Sequence, residues 1–153
     1  MKIVYHCYGG SHSSVTTAAI HLGYLPNHRR PTSEELMGLP FFDKQIDKDH
    51  GKFNLMGKDE IGNEVYICGC RSLGSKVEKT LQGVAKITNT PIDDMIFIDT
   101  LNGVNNLMRV GGFLSRKLKL VSMGRPLVLE GTINSFNKFV DMVGEVKKNI
   151  AQR

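Results

Sequence analysis

Lys2-Ile3-Val4-Tyr5-His6-Cys7-Tyr8-Gly9-Gly10-Ser11-His12-Ser13-Ser14-Val15 passes from a short β-rich run, through a small polar turn, into residues spaced for a helix. Val15, Ala18, Ala19 and Leu22 recur at helical spacing, and Gly23 closes that helix. A strand, a glycine turn and a helix in this order predict an α/β layer. The same junction aims backbone N–H groups and the positive end of a helix dipole at one spot, which suits an anion and phosphate above all.

Working outward, Asn27-His28-Arg29-Arg30-Pro31 reads as a basic loop, and Thr32 or Ser33 caps a short helix that Leu39-Pro40 ends. Phe41-Phe42 cannot both face inward from a regular strand, and Asp43 to His50 is polar and mixed in charge. That stretch is either a solvated connection anchored by one Phe or a mobile flap over the glycine turn. Lys52–Met56 and Glu64–Cys70 predict a hairpin turned at Gly62-Asn63. Ser75 and Glu78 have capping-box spacing ahead of a helix with Leu81, Val84 and Thr88 on its inner stripe. Pro91 restarts the chain, and Met95-Ile96-Phe97-Ile98 reads as a strand covered on both faces and ended by Asp99.

A helix from about Leu101 to Leu118 follows, with Val104, Leu107, Met108, Leu114 and Leu118 inward. Gly111 falls near that stripe, where a missing side chain admits another backbone, and Gly112 is the place for a bend. Leu120-Val121 and Pro126-Leu127-Val128-Leu129 are strand candidates around the turn Ser122-Met123-Gly124-Arg125. Gly131-Thr132 leads into a last helix carrying Phe136, Val140, Val143, Val146 and Ile150, with Lys147, Lys148 and Arg153 at its end. The order predicts one three-layer α/β domain over residues 1–153, Rossmann-like or P-loop-like, with a mainly parallel sheet and an added antiparallel hairpin.

Composition agrees with an ordinary globular chain: 153 residues, 41% hydrophobic and 23% charged, with 20 Lys and Arg against 15 Asp and Glu. The resulting charge of +5 favours acidic partners mildly. The apolar run before Gly9 is too short for a signal-peptide core, and no run approaches a membrane span, so a cytoplasmic protein is expected. Cys7, Cys68 and Cys70 are expected to stay reduced there.

Two phosphate-binding templates bear on the glycine turn. Against G-x-x-x-x-G-K-[ST], the places of the two glycines, the lysine and the hydroxyl residue fall on His6, Ser11, His12 and Ser13, and Ser13 alone agrees. Asp99 after four apolar residues has the form of the acid that holds Mg²⁺ in such proteins, which makes Mg²⁺ a candidate cofactor. Cys7-Tyr8-Gly9-Gly10-Ser11-His12-Ser13-Ser14 also resembles the C-x5-R-S loop of the low-molecular-weight tyrosine phosphatases in position, spacing and terminal Ser. There Ser13 stands where that family has the Arg that forks onto phosphoryl oxygens, and no D-P acid motif appears near the C-terminus.

His6, Cys7, His12, Cys68 and Cys70 raise a metal question, because alternation along a strand places the thiols of Cys68-Gly69-Cys70 on one face. The alternative is two small residues facing the core. Arg109, Arg116, Lys117, Lys119 and Arg125 lie in a stretch without acids between Asp99 and Glu130. Of these, Arg125 in its glycine turn is the candidate for reaching a ligand, whereas Arg116, Lys117 and Lys119 suit a helix end. Nucleic acid is the weaker partner class, since no aromatics interleave these cations.

Ile3 to Ser14, Leu39-Pro40-Phe41-Phe42-Asp43-Lys44, Gly62-Asn63-Glu64-Val65-Tyr66 and Met108-Arg109-Val110-Gly111-Gly112-Phe113-Leu114-Ser115-Arg116 together resemble a family catalogued as domain of unknown function 3189, over nearly the whole chain. The resemblance implies a cytosolic protein of Firmicute, spore-forming bacteria and carries no activity with it. The expected function is therefore read from the turn: a phosphate- or nucleotide-recognising protein, as a phosphoester hydrolase or transferase. Gly9, Gly10, Ser11, Ser13, Ser14 and Arg125 would bind the ligand, and His12, Cys7 and Asp99 would do the chemistry. The rival is a non-catalytic regulatory or interaction protein, with the turn a plain junction and Phe41-Phe42 and the basic helix end meeting a partner.

Overall fold

The computed structural model describes residues 1–89, 94–116 and 118–152; the expected restart at Pro91 and the cations Lys117 and Arg153 lie outside them. β1 (Lys2–Cys7) runs into the glycine turn and α1 (Ser13–His21), as the opening stretch predicts. Gly23 then takes a positive φ of 72° and ends that helix. α2 (Ser33–Gly38) is capped by Thr32 and Glu35 in a reciprocal capping box. β2 (Phe53–Lys58) and β3 (Glu64–Gly69) form the antiparallel hairpin, and β4 (Met95–Asp99) supplies the last strand.

The sheet order is β2-β3-β1-β4, with β1 parallel to both neighbours. Alternation divides its side chains between two layers of helix. Ile3, Tyr5, Val65 and Ile67 join the larger core under α1, with Phe136, Phe139 and Val143. Val4, Cys68 and Cys70 form a smaller cluster on the opposite face with Val77 of α3 (Gly74–Ile87). The fold is thus a three-layer α/β sandwich with very unequal layers. β4 is an edge strand and is half-buried along Met95–Ile98, so its apolar run is not covered on both faces as expected.

α3 differs from expectation at its start. Leu73 occupies the N-cap with no side-chain cap, and Ser75 already lies inside the helix. The entry is set by the Leu73 N–H donating to the Cys70 carbonyl, and by Gly74 packing on the His6 ring. Ala85 is its buried residue, whereas Val84 is exposed.

The largest difference is at the C-terminal end. A 3₁₀ turn (Thr100–Gly103) precedes α4 (Asn106–Arg116), and the two expected strands near Leu120 and Pro126 are instead the first turns of α5, a 31-residue helix (Val121–Ala151). Its buried residues Gly124, Val128, Gly131, Thr132, Ser135, Phe136, Phe139, Val143 and Val146 keep helical spacing throughout. The backbone of α4 presses directly on it. A Cβ on Gly111 would stand 2.7 Å from the Gly124 carbonyl oxygen, and one on Gly124 would stand 2.6 Å from the Ser115 nitrogen. Gly111 therefore does admit another backbone, that of α5. Despite its length, α5 is too polar to be a span: no helix among the described residues is long and apolar enough to cross a membrane.

Candidate functional site

The turn after β1 is shaped by close backbone contact. Gly10 has φ 65°, and a Cβ there would stand 2.6 Å from the Gly69 nitrogen, so the position needs glycine on both counts. The chain bends back far enough for the Gly10 N–H to donate to Cys7 Sγ over 3.1 Å. Ser14, in the first turn of α1, places Oγ 3.2 Å from the same sulfur. Cys7 is buried and sits at the floor of a cavity of about 450 Å³.

α1 begins at Ser13 with His12 as N-cap and no side-chain cap, so its first N–H groups have no intrahelical acceptor. Ser13 Oγ lies 2.9 Å from Thr100 Oγ1, whose hydroxyl also reaches the His6 carbonyl. His12 is held by Asp43, with Nε2 3.1 Å from Oδ1, and its ring meets Phe42 edge to face. Asp43 itself has φ 53° and a buried carboxylate, whose second oxygen accepts from Arg125 Nε at 2.7 Å. The segment after Phe42 lies over the turn: the Asp43 N–H donates to the Ser11 carbonyl and the Gln45 N–H to Ser11 Oγ. Phe42 is fully buried, which settles the anchor, while Phe41 packs partly against the core.

The cavity is walled by the turn on one side and by the 3₁₀ turn and α4 on the other. Cys7, Tyr8, Gly9, Ser11, His12 and Ser13 face Leu101, Val104, Met108, Arg109, Gly112 and Phe113. Of the sequence-predicted residues, Cys7, Gly9, Ser11, His12 and Ser13 are therefore together, with Gly10 and Ser14 directly behind them. Asp99 and Arg125 are not among the lining residues. Asp99 caps the 3₁₀ turn by accepting from the Leu101 N–H at 2.9 Å, and lies 3.9 Å from His6 Nδ1. Arg125 is on α5 rather than in a turn, and it reaches the site only through Asp43. Among the described residues no cluster of three or more His, Cys, Asp or Glu stands ready for a metal ion.

Two contributors escaped the sequence reading. Arg109 has no role of its own among the cations of the acid-free stretch in the sequence, yet it stands in the first turn of α4 on the cavity wall. Asp43 was read as part of a surface connection, and its signal, an acid directly after two aromatic residues, is too common to stand out.

A family model described as "Protein of unknown function (DUF3189)" matches residues 2–148. No curated protein and no solved structure matches the chain.

Proposed function

We propose a phosphate-monoester chemistry for this chain, which belongs to the DUF3189 family. The observation that carries the proposal is the convergence on Cys7 Sγ of the Gly10 N–H and the Ser14 hydroxyl at the floor of an open cavity. A sulfur that accepts from a backbone N–H and touches a hydroxyl beside an uncapped helix N-terminus is arranged to meet an electrophile that carries negative charge. Ser11, Ser13 and the first N–H groups of α1 receive the phosphoryl oxygens. Arg109 supplies from α4 the positive charge that Ser13 does not supply from the turn.

The reaction is hydrolysis or transfer in two displacements. Cys7 Sγ, as the thiolate, attacks phosphorus as the P–O ester bond breaks and the leaving oxygen takes a proton from His12; a water or acceptor hydroxyl, giving its proton back to His12, then attacks phosphorus and the P–S bond breaks. Asp43 orients the His12 ring for that proton transfer, and Arg125 fixes Asp43. Tyr8, Leu101, Val104, Met108 and Phe113 make the rest of the wall apolar, which selects an ester with an apolar or aromatic group, nucleoside monophosphates included.

The test is a thermal-shift titration with inorganic phosphate and vanadate, followed by turnover of an aryl phosphate. Binding to the folded state raises the melting temperature, Arg109→Ala weakens it, and Cys7→Ser removes turnover while keeping the fold. Absence of any shift, at concentrations that move a known phosphate binder, sinks the proposal. A second reading, a non-catalytic regulatory or interaction protein, is favoured by the exposed Phe53, Leu55, Leu73, Val84 and Ile87 on β2 and around α3. Phe42 has no part in it, being in the core. This reading gains if Cys7→Ser and His12→Ala leave function untouched.

A further inference from the structure

Cys68 and Cys70 lie on the opposite face of the sheet from Cys7, with their sulfurs 3.4 Å apart and both buried. The residue between them, Gly69, is packed from two sides. A Cβ on it would stand 2.8 Å from the Gly9 carbonyl carbon and 3.0 Å from the Gly10 nitrogen, while its own carbonyl accepts from the Gly51 N–H at 2.8 Å. Two further bonds tie the strand end to the turn, from the Cys70 N–H to the Cys7 carbonyl and from the Arg71 N–H to the Tyr8 carbonyl. The dithiol thus flanks a backbone segment against which the glycine turn packs.

We propose that Cys68 and Cys70 are a reversible dithiol–disulfide pair, oxidised by a hydroperoxide, and that closing the bond displaces the Gly9–Gly10 turn and so resets Cys7. A disulfide needs its sulfurs about 2 Å apart and its Cα atoms no more than about 7 Å apart. Residues two apart on an extended strand are separated by roughly 6.6 Å, at the upper end of that range. Closing the bond therefore shortens the strand end, and Gly69 is where the backbone must give. Its movement passes to Gly10, whose N–H holds Cys7 Sγ.

The chemistry balances in two steps. Cys70 sulfur attacks one peroxide oxygen, an S–O bond forms as the O–O bond breaks, and an alcohol or water leaves, giving a sulfenic acid. Cys68 sulfur then attacks Cys70 sulfur, the S–O bond breaks, and water leaves with the Cys68 proton. The two thiols lose two electrons and the peroxide gains them. Cys70 is the group that attacks first, since it is the less deeply buried of the two, 7% exposed against none for Cys68.

The inference concerns regulation of the site proposed above, but its test needs no phosphate, so the two can fail separately. The reduced full chain is treated with hydrogen peroxide, the peroxide is removed, and peptide masses are mapped. The expected product has lost about 2 Da in the peptide that carries both Cys68 and Cys70. Cys7 is then alkylated with iodoacetamide, and its rate should differ between reduced and oxidised chains by about threefold or more. In Cys68→Ala/Cys70→Ala, the same peroxide treatment should leave the Cys7 rate unchanged; Cys70→Ala alone serves if the double variant does not fold. Failure to form the intramolecular disulfide, or a disulfide that leaves the Cys7 rate as it was, overturns the proposal. A phosphate or vanadate shift measured on the reduced chain reports on the phosphate reading alone.

Discussion

The chain builds a histidine–carboxylate pair twice on α1 or its cap, and the two pairs have opposite settings. His21, in the last turn of α1, has no exposed side-chain surface: Nδ1 lies 2.7 Å from the Tyr5 hydroxyl and Nε2 3.1 Å from Asp59 Oδ2. Asp59 in turn organises the hairpin, accepting from the Ile61 and Asn63 N–H groups and the Asn63 amide. His12, at the other end of the same helix, makes an equally short contact with Asp43 but lines the cavity and keeps part of its ring open. One pair closes a three-part network across α1, β1 and the hairpin; the other, joined through Asp43 to Arg125, lines a cavity. Equal distances do not make equal roles, and what separates the two is whether a ligand can reach the ring.

The comparison breaks most visibly at His21. His21→Ala takes the imidazole away from both the buried Tyr5 hydroxyl and Asp59 Oδ2 and leaves a cavity between them, and is expected to lower unfolding stability by about 3 kcal/mol, read as the urea midpoint. A loss no larger than that of a surface substitution would mean the enclosed pair is not structural.

His12→Ala is the next step down on the same scale. Arg125 still holds Asp43, so stability is expected to fall by less than about 1 kcal/mol. Turnover should drop by about a hundredfold or more, the usual size of a lost acid–base group. If His12→Ala instead unfolds the protein as readily as His21→Ala, the two pairs are the same kind of device.

The smallest effect is in the pH profile. Burial first, opposed by the Asp59 hydrogen bond and aided by the Lys147 charge, holds His21 below its ordinary value of 6.5. A histidine with a depressed folded pKa binds its proton more readily in the unfolded chain. Its stabilising contribution is therefore present above about pH 6.5 and is lost as pH falls toward the folded value. Asp59, which burial pushes up but the bonds from Asn63 and His21 hold below the carboxylate range, acts in the same direction at lower pH. Between pH 7 and pH 5 the wild type should lose more stability than His21→Leu does. Parallel curves would show that His21 does not titrate on unfolding.

The first half of the fold was legible because its signals are local. β1, the glycine turn and α1 follow from a β-rich run, small polar residues and helical spacing within one short stretch, and the cap of α2 narrows to Thr32 or Ser33. α5 was not legible in its first turns, since Gly124, Gly131, Thr132 and Ser135 are buried by contact with α4 and with the core, yet carry no apolar side chain to mark the period. Pro126 then read as the first residue of a strand, although it lies in the second turn of α5, where it removes one bond of the ladder. The same error put Arg125 in a turn. At the site, the residues of the turn itself were legible, whereas Asp43 and Arg109 arrive through tertiary contact from segments with no distinctive local pattern.

Gly111 and Gly112 are neighbours in α4 with opposite surroundings: the first meets the backbone of α5, and the second has nothing within 4 Å of where a Cβ would stand. Gly112 is also on the cavity wall. For anyone wishing to redesign ligand preference, these two positions are respectively a fixed bearing and an adjustable stop. A methyl or larger group at 112 narrows the chamber without disturbing the helix contact beneath it, so size discrimination can be altered independently of the scaffold.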